Sequence, residues 1–195
     1  MCVTDFVTPS WDEIYDVTIE LYDKISQDGF YPDVIVGVAR GGWVPARILS
    51  DFSGNTSTAN MKIEFYKGIA ETEEKPQIVQ PISVSVENKK VLICDDVADT
   101  GESILVAIDH IKEAGASDVR VAALYMKPWS KCTPEYWVLR TDKWIIFPWE
   151  RRETITKLYI SLKDETPSEV IKKELSRTNI EEKYIEKYLK WIQKS

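Results

Sequence analysis

Histidine occurs once in this chain, at His110, and cysteine only three times, at Cys2, Cys94 and Cys132. One histidine and three scattered cysteines give neither zinc-ligand spacing nor a disulfide framework. Cys94 stands in an apolar run and reads as a small core residue rather than a reactive thiol. No apolar stretch approaches the ~20 residues needed to span a bilayer. The start, Met-Cys-Val-Thr-Asp-Phe, has no basic segment followed by an apolar one, so no secretory signal is visible and the cytoplasm is the expected compartment. Positive charge is in deficit: 25 Lys and Arg against 32 Asp and Glu give a net charge of −7, which argues against a general nucleic-acid-binding surface. Gly-Lys-Ser and Gly-Lys-Thr are missing, which excludes a Walker-type phosphate loop. Internal repeats and low-complexity tracts are missing as well.

What is present suits an ordinary globular domain with room for an appendage: 195 residues, 44% hydrophobic and 29% charged. Ser10-Trp11-Asp12-Glu13 is a capping box, and the helix it opens sets Ile14, Val17, Leu21 and Ile25 on one face before ending near Gly29. Val34 to Val38 is an apolar run suited to a central parallel strand, broken by Arg40-Gly41-Gly42 before a second helix begins at Val44. A strand follows around Met61 to Tyr66. From Lys67 to about Gln80 the chain is polar without a clear period, the mark of a disordered segment or a working lid. A strand from Val91, a helix from Ser103 to about Ala114 and a strand over Val119 to Tyr125 complete the alternation. Such alternation predicts an α/β fold with a mostly parallel sheet flanked by helices. Beyond Pro148 the chain turns charged and helical, with amphipathic stretches over 167–175 and 179–192.

The most informative run is Val91-Leu-Ile-Cys-Asp-Asp-Val-Ala-Asp-Thr-Gly-Glu-Ser-Ile104. A short buried strand leads into Asp95, Asp96 and Asp99, and Thr100-Gly101-Glu102-Ser103 turns the chain into a helix. A strand–loop–helix junction presents unpaired backbone N–H groups and the positive end of a helix dipole, so it suits a phosphate. Three carboxylates beside a phosphate would repel it unless they hold sugar hydroxyls, a divalent cation or a proton. The residues therefore describe a sugar-phosphate site with metal assistance. Val36-Gly-Val-Ala-Arg-Gly-Gly42 is a second strand ending in a small-residue loop, where the backbone can approach a ligand closely and Arg40 can grip phosphate.

The first run resembles the signature of the type I phosphoribosyltransferases, which bind 5-phosphoribosyl-1-pyrophosphate (PRPP). It has the apolar strand, Asp95-Asp96, two apolar or small residues (Val97, Ala98), Asp99-Thr100-Gly101, one residue (Glu102) and Ser103. The resemblance implies that family's sheet and helices in residues 1–150, a base-binding hood over about 125–150, and a helical extension over 151–195. It implies that the backbone from Asp99 to Ser103, with the Thr100 and Ser103 hydroxyls, cradles the 5-phosphate. Asp95 and Asp96 would hold the ribose hydroxyls, and Asp96 would also contact Mg²⁺. Arg40, with the backbone of Ala39 and Gly41, would hold pyrophosphate, with a non-proline cis peptide at Ala39-Arg40. Asp99 would take the proton from purine N7, residues 67–85 would close over the site, and the chain would pair as a homodimer.

The stretch from Tyr125 to Glu150 resembles the hood of bacterial xanthine-guanine phosphoribosyltransferase and its archaeal relatives, through Lys127-Pro, Trp144-Ile145 and Pro148-Trp149-Glu150. The implied roles are Lys127 donating to purine O6, Trp144 stacking on the base, and Ile145 and Glu150 near the C2 edge. A cation at that place favours a 6-oxopurine, because an exocyclic amine there finds no acceptor. Adenine is the competing acceptor. A non-catalytic PRPP-sensing regulator is a further alternative.

Overall fold

The computed structural model describes residues 5–67, 74–162 and 168–192. In chain order the elements are β1 (Phe6–Val7), α1 (Trp11–Gln27), β2 (Val34–Ala39), α2 (Trp43–Ser53), β3 (Thr58–Lys67), β4 (Glu74–Gln80), β5 (Lys90–Ala98), α3 (Glu102–Glu113), β6 (Asp118–Met126), β7 (Tyr136–Arg140), β8 (Trp144–Ile145), α4 (Arg151–Leu162), α5 (Ser168–Ser176) and α6 (Glu182–Ile192). They form two compact units, residues 14–142 and residues 1–13 with 143–195. The boundary expected at 150 thus falls inside the smaller unit.

The larger unit holds a six-stranded sheet of order β4-β3-β2-β5-β6-β7. Its strands pair in parallel except for β4, which runs antiparallel to β3 at the edge. The run at Val34 to Val38 is buried throughout, as a central parallel strand covered on both faces requires. Val34, Val36, Val91, Ile93 and Val121 pack with Ile104, Ala107 and Ile111 of α3. On the opposite face, Ile35 and Leu92 meet Ile25 of α1 and Leu49 of α2 around a small apolar cavity. Burial pushes the thiols of Cys94 and Cys132 up, so both belong to packing rather than nucleophilic chemistry.

The capping box forms as read: Ser10 N–H donates to Glu13 Oε2 at 2.7 Å, and Glu13 N–H to Ser10 Oγ at 3.2 Å. The buried stripe of α1 differs in one place. Thr18, not Val17, joins Ile14, Leu21 and Ile25, because its hydroxyl is satisfied by donating to the Ile14 carbonyl at 2.7 Å.

Two further expectations change. The polar segment after Lys67 is not structureless over 74–80, where Lys75 to Ile78 pair with Tyr66 back to Ile63. Pro76 is tolerated because β4 is an edge strand, which leaves one side of its ladder unused. Residues 68–73 of the expected lid lie outside the described residues. Strand β5 also runs on through Asp95 and Asp96 to Ala98, so these two carboxylates stand on the sheet rather than in the loop.

In the smaller unit β1 pairs in parallel with β8, Phe6 opposite Trp144 and Val7 opposite Ile145. Ile146, Ile155, Ile171, Leu175, Ile180 and Ile185 form its core. Trp149 stacks on Phe147 at 4.8 Å between ring centroids and lies 5.6 Å from Trp11, an aromatic packing role.

Candidate active site

Adjacent parallel strands deliver their carboxyl ends to the same edge of a sheet, which is where open α/β sheets bind ligands. In the order β2-β5-β6 that edge receives Arg40 after β2, Asp99 after β5 and Lys127 after β6. Arg40, Asp99 and Thr100 are exposed, whereas Asp96 and Lys127 are each only 6% exposed. A cleft opens here, lined by Asp95, Val97, Asp99, Thr100, Gly101, Ser103, Ile104 and Phe65.

The loop after β5 has the properties a phosphate cradle needs. Gly101 caps α3 at φ +81°, a left-handed conformation that disfavours any side chain, and no side chain caps the helix there. The first-turn N–H groups and the helix dipole therefore face the cleft end without a side-chain anion in the capping position. The Thr100 hydroxyl accepts from Glu102 N–H at 3.3 Å. Helix α2 is likewise capped by a glycine, Gly42, without a side-chain bond, and it starts directly behind Ala39-Arg40-Gly41. The peptide Ala39-Arg40 is cis, at the bond expected from the sequence.

The structure separates the two strand carboxylates. Neighbouring side chains on a strand point to opposite faces, and here Asp95 faces the cleft while Asp96 does not line it. Asp96 is instead packed against the other loop: a Cβ on Gly41 would lie 1.8 Å from its Oδ2. Gly41 therefore has to be glycine for the Asp96 carboxylate to meet the Arg40 loop. Asp96 Oδ1 accepts from Val97 N–H at 2.9 Å.

Lys127 is tied to the end of β5, its N–H donating to the Ala98 carbonyl at 3.0 Å. Burial pushes its ammonium below the ordinary lysine range, and the Asp99 and Asp142 carboxylates pull it partly back. The rest of its segment braces the loop after β5: Lys131 N–H donates to the Thr100 carbonyl at 2.9 Å and Lys131 Nζ reaches Glu102 Oε1 at 2.6 Å. Sequence reasoning gave no role to two residues placed at the site. Phe65 forms a wall of the cleft, and the Trp129 indole N–H donates to Asp99 Oδ1 at 2.9 Å. Nothing local in sequence signals either, since Phe65 reads as a strand residue and Trp129 as one more aromatic in a tryptophan-rich loop.

Trp144, Ile145 and Glu150 belong to the smaller unit. Trp144 is 52% exposed, while Ile145 is buried beside it in β8. Glu150 is half-buried, with its N–H on the Phe147 carbonyl at 3.0 Å and its carbonyl accepting from Thr154 N–H at 2.9 Å, the first turn of α4.

The family model of the phosphoribosyl transferase domain matches residues 10–153. The chain is 27% identical over 148 residues to a xanthine-guanine phosphoribosyltransferase of Gluconobacter oxydans, covering 74% of this chain and 84% of that protein. It is 29% identical over 123 residues to a hypoxanthine-guanine phosphoribosyltransferase of Streptococcus mutans, covering 61% and 67% respectively. Among solved structures, a purine phosphoribosyltransferase from Pyrococcus horikoshii superposes with a TM-score of 0.68 at 41% identity, over 75% of this chain and 94% of that one. Because the family model spans most of its length, the chain belongs to the phosphoribosyltransferase family.

Proposed function

We propose that this phosphoribosyltransferase transfers the 5-phosphoribosyl group of PRPP to a 6-oxopurine (hypoxanthine, guanine or xanthine), releasing pyrophosphate and a nucleoside 5′-monophosphate. The observation that carries the choice of base is Lys127, a buried ammonium hydrogen-bonded through its backbone to the residue before Asp99. A buried cation placed beside the base donates to an oxo group and leaves an amine mispaired, a difference of ~1–3 kcal/mol. The names of the relatives in Gluconobacter and Streptococcus support the same choice.

Cleaving the bond from sugar C1 to pyrophosphate develops positive charge on the ribose, so positioning and charge stabilisation supply most of the rate. The 5-phosphate would sit on the N–H groups of Asp99 to Ser103, with the Thr100 and Ser103 hydroxyls. Asp95, which faces the cleft, would hold the ribose hydroxyls with Asp96. Arg40, with the Ala39 and Gly41 backbone, would grip the pyrophosphate. Asp99, at the exposed strand end, would accept the purine N7 proton.

A single carboxylate beside a phosphate-facing loop is compatible with Mg²⁺, which is ordinarily held by one or two carboxylates with ligand phosphates and waters. No group of three or more His, Cys, Asp or Glu suited to a metal is present among the described residues, so an all-protein cage is not available there. Asp96, packed against the Arg40–Gly41 loop, would be the carboxylate that takes part. When bound, the ion supplies charge neutralisation at the pyrophosphate. Trp144, Ile145 and Glu150, the other residues proposed for the base, lie in the smaller unit.

Lys127→Ala tests the choice of base. It is expected to lower kcat/KM for hypoxanthine and guanine by roughly tenfold or more, the worth of a charged hydrogen bond, while adenine, a poor substrate, gains relative to them. Because burial lowers the Lys127 pKa, its protonated form is lost earlier as pH rises. The wild type should therefore lose oxopurine kcat/KM on the alkaline side before an exposed lysine would titrate, and Lys127→Ala should lack that limb. An unchanged ratio of oxopurine to adenine activity in the variant would refute the assignment.

A further inference from the structure

Trp129 is 54% exposed, so burial does not explain a tryptophan at this position. Its loop is already held by backbone bonds, Lys127 N–H to Ala98, Ser130 N–H to Lys127 and Lys131 N–H to Thr100. What the indole adds is polar. Nε1 donates to Asp99 Oδ1 at 2.9 Å, and the Lys127 ammonium lies 5.5 Å from the centre of the same ring. One ring thus touches both groups proposed to meet the purine.

The chemistry of an indole suits this place. Asp99 is exposed at the strand end, where a carboxylate can turn freely about its side-chain bonds. A single donor on Oδ1 fixes its rotation and leaves Oδ2 to accept a proton. Indole N–H donates only, so it never competes for the proton that Asp99 must take.

We propose that Trp129 is a positioning residue of the transfer reaction, holding the Asp99 carboxylate in its proton-accepting orientation through the indole N–H. This rests on the reading of Asp99 as the base.

Trp129→Phe keeps a ring against Lys127 and removes only the donor. It is expected to lower kcat with a 6-oxopurine roughly tenfold, the scale of one hydrogen bond to a charged acceptor, with an unchanged KM for PRPP and an unchanged unfolding midpoint. Trp129→His, which offers a ring N–H, should recover part of kcat. In an Asp99→Ala background Trp129→Phe should have no further effect, because the carboxylate through which it acts is gone. Wild-type kcat in Trp129→Phe, an equal loss in the Asp99→Ala background, or failure of Trp129→Phe to fold would each overturn the proposal. The failure of the base reading is a separate result: Asp99→Ala would itself turn over normally.

Discussion

Asp99→Ala is expected to reduce turnover by roughly 10²- to 10⁴-fold, the range for losing a general base, while PRPP binding stays close to wild type. The split follows from what surrounds Asp99. It is exposed at the mouth of the cleft, one residue past the end of β5, and its Oδ1 accepts a bond from Trp129. The groups proposed for PRPP are different ones. They are the backbone of the following loop, the Asp95 and Asp96 carboxylates on the strand, and the Arg40 loop behind them. Removing the Asp99 carboxylate leaves the glycine-capped start of α3 and the Ala98 to Lys127 backbone bond in place. Titration of the variant with PRPP, beside steady-state turnover, makes the comparison. Equal damage to binding and turnover would assign Asp99 to the sugar phosphate instead of the proton.

Gly101→Ala should damage PRPP recognition if the loop after β5 holds the phosphate as proposed. Two costs combine. Gly101 sits at φ +81°, where an L-residue pays ~1–2 kcal/mol. The new Cβ would also lie 2.6 Å from the Cys132 backbone N and 2.8 Å from Ser130 Oγ, closer than such contacts allow. The 127–132 segment must then withdraw, and with it go the bonds that brace Ala98 and Thr100. A rise in KM for PRPP of roughly tenfold or more is expected, about 1.4 kcal/mol for each factor of ten, together with a lower unfolding midpoint. Gly54→Ala is the control. Gly54 caps the C-terminus of α2 at φ +65°, and a methyl added there would meet no heavy atom within 4 Å, so it carries the backbone cost without the clash. It should lose some stability and keep its KM. If Gly101→Ala binds PRPP as tightly as Gly54→Ala does, the phosphate cradle lies somewhere other than the start of α3.

The strand–loop–helix junction proposed for the donor was legible in the sequence because its parts are local along the chain. A strand, a small-residue loop and a helix N-terminus within fourteen residues make it, and no partner from elsewhere is needed to see the pattern. The same locality made the Ala39-Arg40 loop and the apolar runs of β2, β5 and β6 readable. Strand β4 was missed because Glu74, Lys75 and Pro76 hide the alternation, and an edge position forgives them. Asp95 and Asp96 read as one carboxylate cluster, since a sequence does not show where a strand ends; their extension onto β5 sends them to different neighbours. Trp129 was invisible for a third reason. Its partner Asp99 is 30 residues away, and only the pairing of β5 with β6 brings the two loops together.

The decisive measurement is pyrophosphate release by the wild-type protein, with PRPP and Mg²⁺ present and hypoxanthine, guanine, xanthine or adenine supplied separately. Release is expected with at least one of the 6-oxopurines, at higher kcat/KM than with adenine, together with formation of the matching nucleoside monophosphate. Adenine as the best acceptor would contradict the role given to Lys127, and no release with any purine would contradict catalysis itself.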